Sequence, residues 1–358
     1  MKFKRILTAV LACVLTLAVY APAAFAIDST KHFDFEITAD GGSSATIHIG
    51  DTITVAVTLT QKNAKETTMF ALRDKIIFDG SFFDLVPDSI KTETAGVGNS
   101  TEKQTENWSS WVGVSSTALA QKFDGDTWAS PTVLVTFQLT AKKAGTSVIL
   151  HRDHVMSDTT GLDEYDSTAT DATVVIRNFP YTDVAVGAWY RKAVEYVSDE
   201  RLIDGSTATK FDPESALTRG TLVIALYRKD GSPAVSGNSP FTDVTKGTEL
   251  DKAAAWASDA KIVNGVGDNK FDPNGEITRE QIAAMFYRYA TFKKSDTSAK
   301  GDLSIFTDSG KISSWAKDAL VWANGEKLIN GNGDGTVAPQ GTATRAQVAQ
   351  ILLNYTKR

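Results

Sequence analysis

Phe271-Asp272-Pro273-Asn274-Gly275-Glu276-Ile277-Thr278-Arg279 is the stretch from which the architecture of this 358-residue chain is read. Both of its ends recur. Phe211-Asp212-Pro213 leads to Thr218-Arg219, and Val337-Ala338-Pro339 leads to Thr344-Arg345. Working outward, a glycine stands 14 residues before each arginine: Gly205, Gly265 and Gly331. Farther out lie Tyr181-Thr182-Asp183, Phe241-Thr242-Asp243 and Phe306-Thr307-Asp308, with Asp-to-Gly spacings of 22, 22 and 23. Registers held this closely three times define an internal repeat.

Each repeat reads helix–loop–helix. In the first helix Tyr196, Trp256 and Trp322 lie nine residues before the glycine, with Ala193, Ala253 and Ala319 three residues earlier on the same face. These aromatics are expected in the core. The glycines are expected in the left-handed turn after the helix. The threonine before each arginine suits the N-cap of the second helix, and Leu222, Ala225 and Leu226 with their counterparts supply its apolar face. This pattern resembles S-layer homology (SLH) domains, at residues 179–230, 241–292 and 305–358. The resemblance covers about half of the chain. It implies an all-α pseudo-three-fold helical prism that binds secondary cell-wall polysaccharide, often pyruvylated, in grooves between repeats, on the surface of mainly Gram-positive bacteria.

A helix N-terminus carries partial positive charge and favours acids, not cations. Arg219, Arg279 and Arg345 all sit there. Threefold repetition of that choice points to an anion, because a guanidinium fork and free helix N–H groups suit a carboxylate. The alternative is internal pairing with Asp183, Asp243, Asp308 or a neighbouring repeat. The resemblance also implies glycan contacts for those aspartates, for Gly205, Gly265 and Gly331, and for Trp189 and Trp315. In the second repeat the tryptophan is replaced by Glu249, so the groove using it is expected to bind weakly. Asn330–Val337 resembles the start of a calcium loop. Its positions 1 and 3 are neutral Asn and position 12 is Gly341, where a bidentate Glu is needed.

Residues 27–178 alternate differently. Thr52–Leu59 and Thr132–Leu139 have the period of half-buried strands. Phe33–Thr38, Ala45–Ile49, Phe70–Phe78, Trp108–Val114, Ser147–Leu150 and Thr173–Ile176 add more, predicting an all-β sandwich. Ile49-Gly50-Asp51-Thr52, Ile77-Phe78-Asp79 and Leu134-Val135-Thr136-Phe137 resemble a cohesin-like or carbohydrate-binding-type jelly roll. That implies either a sheet face gripping dockerin-bearing enzymes or exposed tryptophans stacking on sugars, with Trp108, Trp111 and Trp128 as candidates. His151, Asp153, His154 and Asp158 form the one metal-like cluster. A regular strand would send its two histidines to opposite faces, so no metal and no cofactor is expected.

Lys2, Lys4 and Arg5 precede an uncharged run, Ile6–Tyr20, and Ala24-Phe25-Ala26, the marks of a signal peptide over residues 1–26. Its removal takes three of the 37 Lys+Arg and the single cysteine, Cys13, leaving 34 against 43 Asp+Glu, a net charge of −9. Such a chain is unsuited to nucleic acid, to a disulfide scaffold and to a Cys-ligated metal. No nucleophile elbow, His-Glu-x-x-His or phosphate loop is present. The reading is a non-catalytic surface protein anchored by its repeats, with the sandwich binding a protein partner. The alternatives are a sandwich that tethers extracellular polysaccharide and a subunit of an S-layer lattice.

Overall fold

The computed structural model describes residues 33–62, 68–69, 71–92, 98–103, 109–116, 121–122, 131–157 and 167–358. The chain divides into two compact units, Met1–Asn178 and Phe179–Arg358. The expected signal peptide, Trp108, Trp128 and Asp158 lie outside the described residues, as do the side chains of Trp111 and Asp153.

The first unit is built from β1 (Phe33–Ala39), β2 (Ser44–His48), β3 (Thr52–Gln61), β4 (Thr68–Met69), β5 (Ala71–Asp79), β6 (Phe83–Leu85), β7 (Gly98–Lys103), β8 (Ser109–Ser116), β9 (Gln121–Lys122), β10 (Thr132–Ala141), β11 (Gly145–Ser157), β12 (Ser167–Thr170) and β13 (Ala172–Arg177). One large sheet has the order β12-β1-β3-β10-β6, the other large sheet β2-β13-β11-β5-β8-β7, and β4 pairs with β9 in a small two-stranded sheet. Alternation decides what lies between them. Ile53, Val55, Val57 and Leu59 of β3 are fully buried, and they share one apolar cluster with Leu72, Ile76 and Phe78 of β5. The unit is therefore a two-sheet sandwich.

One expectation for this unit is corrected. A register shift between Arg152 and Val155 puts a bulge into β11 where it pairs with β5. Extra residues on a bulged strand re-aim side chains. The rings of His151 and His154 thus lie on one side, centroids 6.2 and 5.7 Å from Phe35 and 6.1 Å apart. His151 Nδ1 lies 2.5 Å from Asp74 Oδ2, and both side chains are buried.

The second unit has six α-helices: α1 (Arg191–Asp199), α2 (Arg219–Lys229), α3 (Glu249–Asp259), α4 (Arg279–Phe292), α5 (Lys317–Gly325) and α6 (Arg345–Tyr355). Each second helix packs on the first helix of the following repeat: α2 on α3, α4 on α5, and α6 back on α1. A triangle of backbone hydrogen bonds closes the ring. Leu217 N donates to Ala343 O (2.9 Å), Ala343 N to Ile277 O (3.1 Å) and Ile277 N to Leu217 O (2.9 Å). These three residues are fully buried or nearly so, with Phe211, Phe271 and Val337 beside them in the core. The pseudo-three-fold prism follows from this closed pattern. Trp322 is fully buried and Trp256 nearly so, while Tyr196 is half-buried.

Candidate functional site

Threonines cap the second helices as expected. Thr218, Thr278 and Thr344 each accept, on Oγ1, the N–H of the residue three positions on. The two preceding N–H groups were expected to be free for a ligand, and they are not. Arg219 N donates to Gly275 O and Gly220 N to Pro273 O, both at 2.9 Å. Arg279 N and Glu280 N bond Gly341 O and Pro339 O, and Arg345 N and Ala346 N bond Ser215 O and Pro213 O. The Phe-Asp-Pro loop of the following repeat thus saturates each helix start.

The arginines reach across the same seams. Nε of Arg219 donates to Phe271 O (3.1 Å), that of Arg279 to Val337 O (2.7 Å) and that of Arg345 to Phe211 O (2.7 Å). Arg219 and Arg345 also lie over the Phe271 and Phe211 rings, 5.0 and 4.6 Å from the centroids. Nη2 of Arg279 donates to Asn330 O, and Nη2 of Arg345 to Asp204 O. Burial pushes all three guanidinium groups below their ordinary range. None of the three forms an ion pair among the described residues, so the alternative of direct pairing with Asp183, Asp243 or Asp308 is not what the fold uses.

Those aspartates serve the loop instead. Asp183 accepts Phe211 N and Asp212 N, Asp243 accepts Phe271 N and Asp272 N, and Asp308 accepts Val337 N and Ala338 N, all at 2.7–2.9 Å. Burial raises the carboxyls of Asp183 and Asp243, but the amides outweigh it and hold both below the ordinary 3.8. The conserved spacing of the glycines also has a different cause from the expected one. The left-handed residues after the first helices are Arg201, Lys261 and Lys327. Gly205, Gly265 and Gly331 are needed for close approach. A Cβ there would lie 2.4, 3.1 and 2.5 Å from the Cε1 of Tyr181, Phe241 and Phe306.

Two grooves result, each assembled from all three repeats. The first, about 540 Å³, combines Trp189, Arg279 and the Asn330–Asn332 loop with Gln347, Gln350 and Asn354 of α6. The second, about 240 Å³, combines Trp315, Arg219 and the Asn264–Val266 loop with Gln281, Met285 and Arg288 of α4. Trp189 is 62% exposed and Trp315 53%, unusual for so large an apolar ring. Arg279, Trp189 and Gly331 therefore meet in the first groove and Arg219, Trp315 and Gly265 in the second, whereas Arg345 and Gly205 line neither, and the aspartates brace the loops beneath.

The third seam differs. There the tryptophan is Glu249 and the loop asparagine is Asp204. Arg228, which occupies the place of Arg288 and Asn354, holds both acids. Its Nε and Nη2 donate to Glu249 Oε1 and Oε2, each at 2.7 Å, and Nη1 donates to Asp204 Oδ2 at 2.8 Å and to Arg201 O. Glu249, then Asp204, hold the Arg228 guanidinium above its ordinary range, and Arg228 holds Glu249 below its own. Sequence reasoning marked Glu249 by its departure from the pattern. Arg228 and Asp204 carried no local signal, because their roles depend on a partner more than 20 residues away.

The S-layer homology domain family matches residues 180–222, 240–283 and 305–349. Residues 180–349 carry three SLH domains. An endoglucanase from Bacillus sp. (strain KSM-635) is 33% identical over 174 residues, 49% of this chain and 18% of that enzyme. The surface-layer 125 kDa protein of Lysinibacillus sphaericus is 26% identical over 177 residues, 47% of this chain and 14% of that protein. The chain thus spans less than a fifth of the length of these curated relatives. Among solved structures, a cohesin module of a family 33 glycoside hydrolase from Clostridium perfringens superposes with a TM-score of 0.32 and 15% identity, over 42% of this chain and 100% of that module. SLH domains mark cell-surface, wall-associated proteins of bacteria and are themselves non-catalytic. No helix among the described residues is long and apolar enough to cross a membrane.

Proposed function

We propose that this is a non-catalytic surface protein, exported by a signal peptide and held to a Gram-positive wall by SLH grooves that bind secondary cell-wall polysaccharide. The observation that carries the reading is the pairing of an exposed tryptophan with a buried arginine that forms no direct ion pair in each of two grooves. A flat ring takes a sugar face, and a guanidinium takes a carboxylate such as a pyruvate ketal. The test is capture of purified wall polysaccharide by the intact chain before and after mild-acid removal of ketals. Equal capture before and after would sink the carboxylate part of the reading.

The sandwich is the displayed module, and the partner it fits is a protein, such as an enzyme bearing a dockerin. Val148 and Leu150 of β11 and Val175 of β13 are large apolar residues exposed on the outer face of the second sheet. Exposed apolar residues gathered on one sheet face suit a protein partner better than a sugar. A binding screen of the intact chain against dockerin-bearing enzymes, polysaccharide gels and itself separates this from glycan tethering and from lattice assembly.

A further inference from the structure

We infer that Arg288 is the carboxylate-reading residue of the second groove, and that the third seam is the same subsite closed by the chain's own Glu249 and Asp204. The inference rests on the glycan-binding reading and specifies which groove reads charge.

The three seams are built alike, so one can be read from another. Arg228, Arg288 and Asn354 each stand nine residues after the seam arginines 219, 279 and 345. At the third seam the structure shows what a carboxylate does when it reaches this position. Glu249 lies fork to fork on Arg228, with both bonds at 2.7 Å. At the second groove the equivalent guanidinium has no acid. Arg288 makes one long contact, Nη1 to Ile262 O at 3.5 Å, and the loop residue is Asn264, not an aspartate. Trp315 replaces Glu249, leaving an open face where the internal carboxylate would sit. Arg219 lines the same groove and adds a second positive charge, its Nη groups having no partner among the described residues. In the first groove the position is Asn354, which bonds Gln350 and carries no charge. Of these three seams only the second groove therefore combines two cations and a flat aromatic face with no acid in its lining. Two acidic replacements on separate repeats, converging on one arginine, close the third seam.

The test is calorimetric titration of the mature full-length chain with the methyl glycoside of a hexose 4,6-pyruvate ketal and with its methyl ester, which lacks the charge. The wild type is expected to prefer the carboxylate by about ten- to a hundred-fold, the range of a charge-assisted hydrogen-bonded pair. Arg288→Gln should lower that preference several-fold, leaving what Arg219 and Arg279 contribute. Arg288→Lys, which keeps charge and stem but loses the fork, should retain part of it. Unchanged melting temperatures in both variants exclude misfolding. Asp204→Asn with Glu249→Gln should add a second carboxylate-preferring site, and adding Arg228→Gln should remove it. A preference undiminished by Arg288→Gln, or no new site in the double variant, overturns the inference. So does a wild type that captures wall glycan without preferring the carboxylate. Failure of the wild type to capture wall glycan at all would instead sink the anchoring function on which the inference rests.

Discussion

Glu249 and Arg228 form a two-pronged ion pair, both prongs at 2.7 Å, between the first helix of one repeat and the second helix of the repeat before it. The Glu249 side chain is 44% exposed, so water screens the attraction. Arg228 keeps Asp204 and Arg201 O when Glu249 is neutralised. Glu249→Gln is therefore expected to cost about 1 kcal/mol or less. A chemical denaturation midpoint close to that of the wild type checks this, and a cost several times larger would show a structural clamp.

Gly331→Ala is expected to be far more damaging. The new Cβ would lie 2.5 Å from Phe306 Cε1, inside a packed core. Overpacking of this kind costs about 1–3 kcal/mol. Phe306→Leu removes the opposing ring edge, so the double variant should lose less stability than the two single changes together. Strict additivity in a denaturation cycle would contradict the steric cause.

Ala338 has φ +44°, where the equivalent Asp212 and Asp272 have +54° and +58°. Aspartate and asparagine tolerate this region, whereas alanine is penalised by its Cβ. Ala338→Asn should raise stability by about 1 kcal/mol. Its amide can still donate to Asp308, as Ala338 N does now. A thermal melt shows the gain directly, and a lower melting temperature would contradict the strain argument.

How much of this could be read in the sequence depends on where each partner lies. Thr52–Leu59 announces β3 because alternation is local, and the repeat registers announce the helices. Gly98–Lys103 alternates no apolar residues, so β7 appears only through its pairing with β8. The bulge in β11 is set by its register against β5, and a single strand does not record it. The same limit misdirects the reading of the helix starts. Arg219 N and Gly220 N look free in a local window, yet Gly275 O and Pro273 O arrive from the next repeat. Glu249 is flagged in the sequence as a replaced tryptophan, but its pairing with Arg228 is not, because that partner lies 21 residues away on another helix.

Acid should loosen the prism through Asp183 and Asp243. Their folded values lie below the ordinary 3.8, so the folded state holds fewer protons than the unfolded state near that pH. The stabilisation is complete above about 3.8 and is lost as pH falls through the folded values. Melting temperature should hold steady down to about pH 5 and drop below pH 4. Asp243→Asn should have a lower melting temperature than wild type at neutral pH, and the gap should narrow in acid. A gap that widens as pH falls would have the wrong sign.

Tryptophans separate binding from folding. Trp189 and Trp315 expose more than half of their surface on the two grooves, whereas Trp322 is fully buried. Trp322→Ala removes a core side chain and should cost about 3–5 kcal/mol. Trp189→Ala and Trp315→Ala should each change stability by about 0.5 kcal/mol or less. If a sugar stacks on these rings, both changes should weaken wall-glycan capture, and the double change more than either alone. The arginine of each groove stays in place in these variants, because Arg219 and Arg279 are held by Phe271 O and Val337 O, not by the tryptophans. The residual affinity should therefore still depend on the ligand's carboxylate. Co-sedimentation with purified wall polysaccharide at graded protein concentrations measures this. Unaltered capture by the Trp189→Ala, Trp315→Ala double variant would mean that the rings are exposed for another reason and that the grooves bind no sugar face.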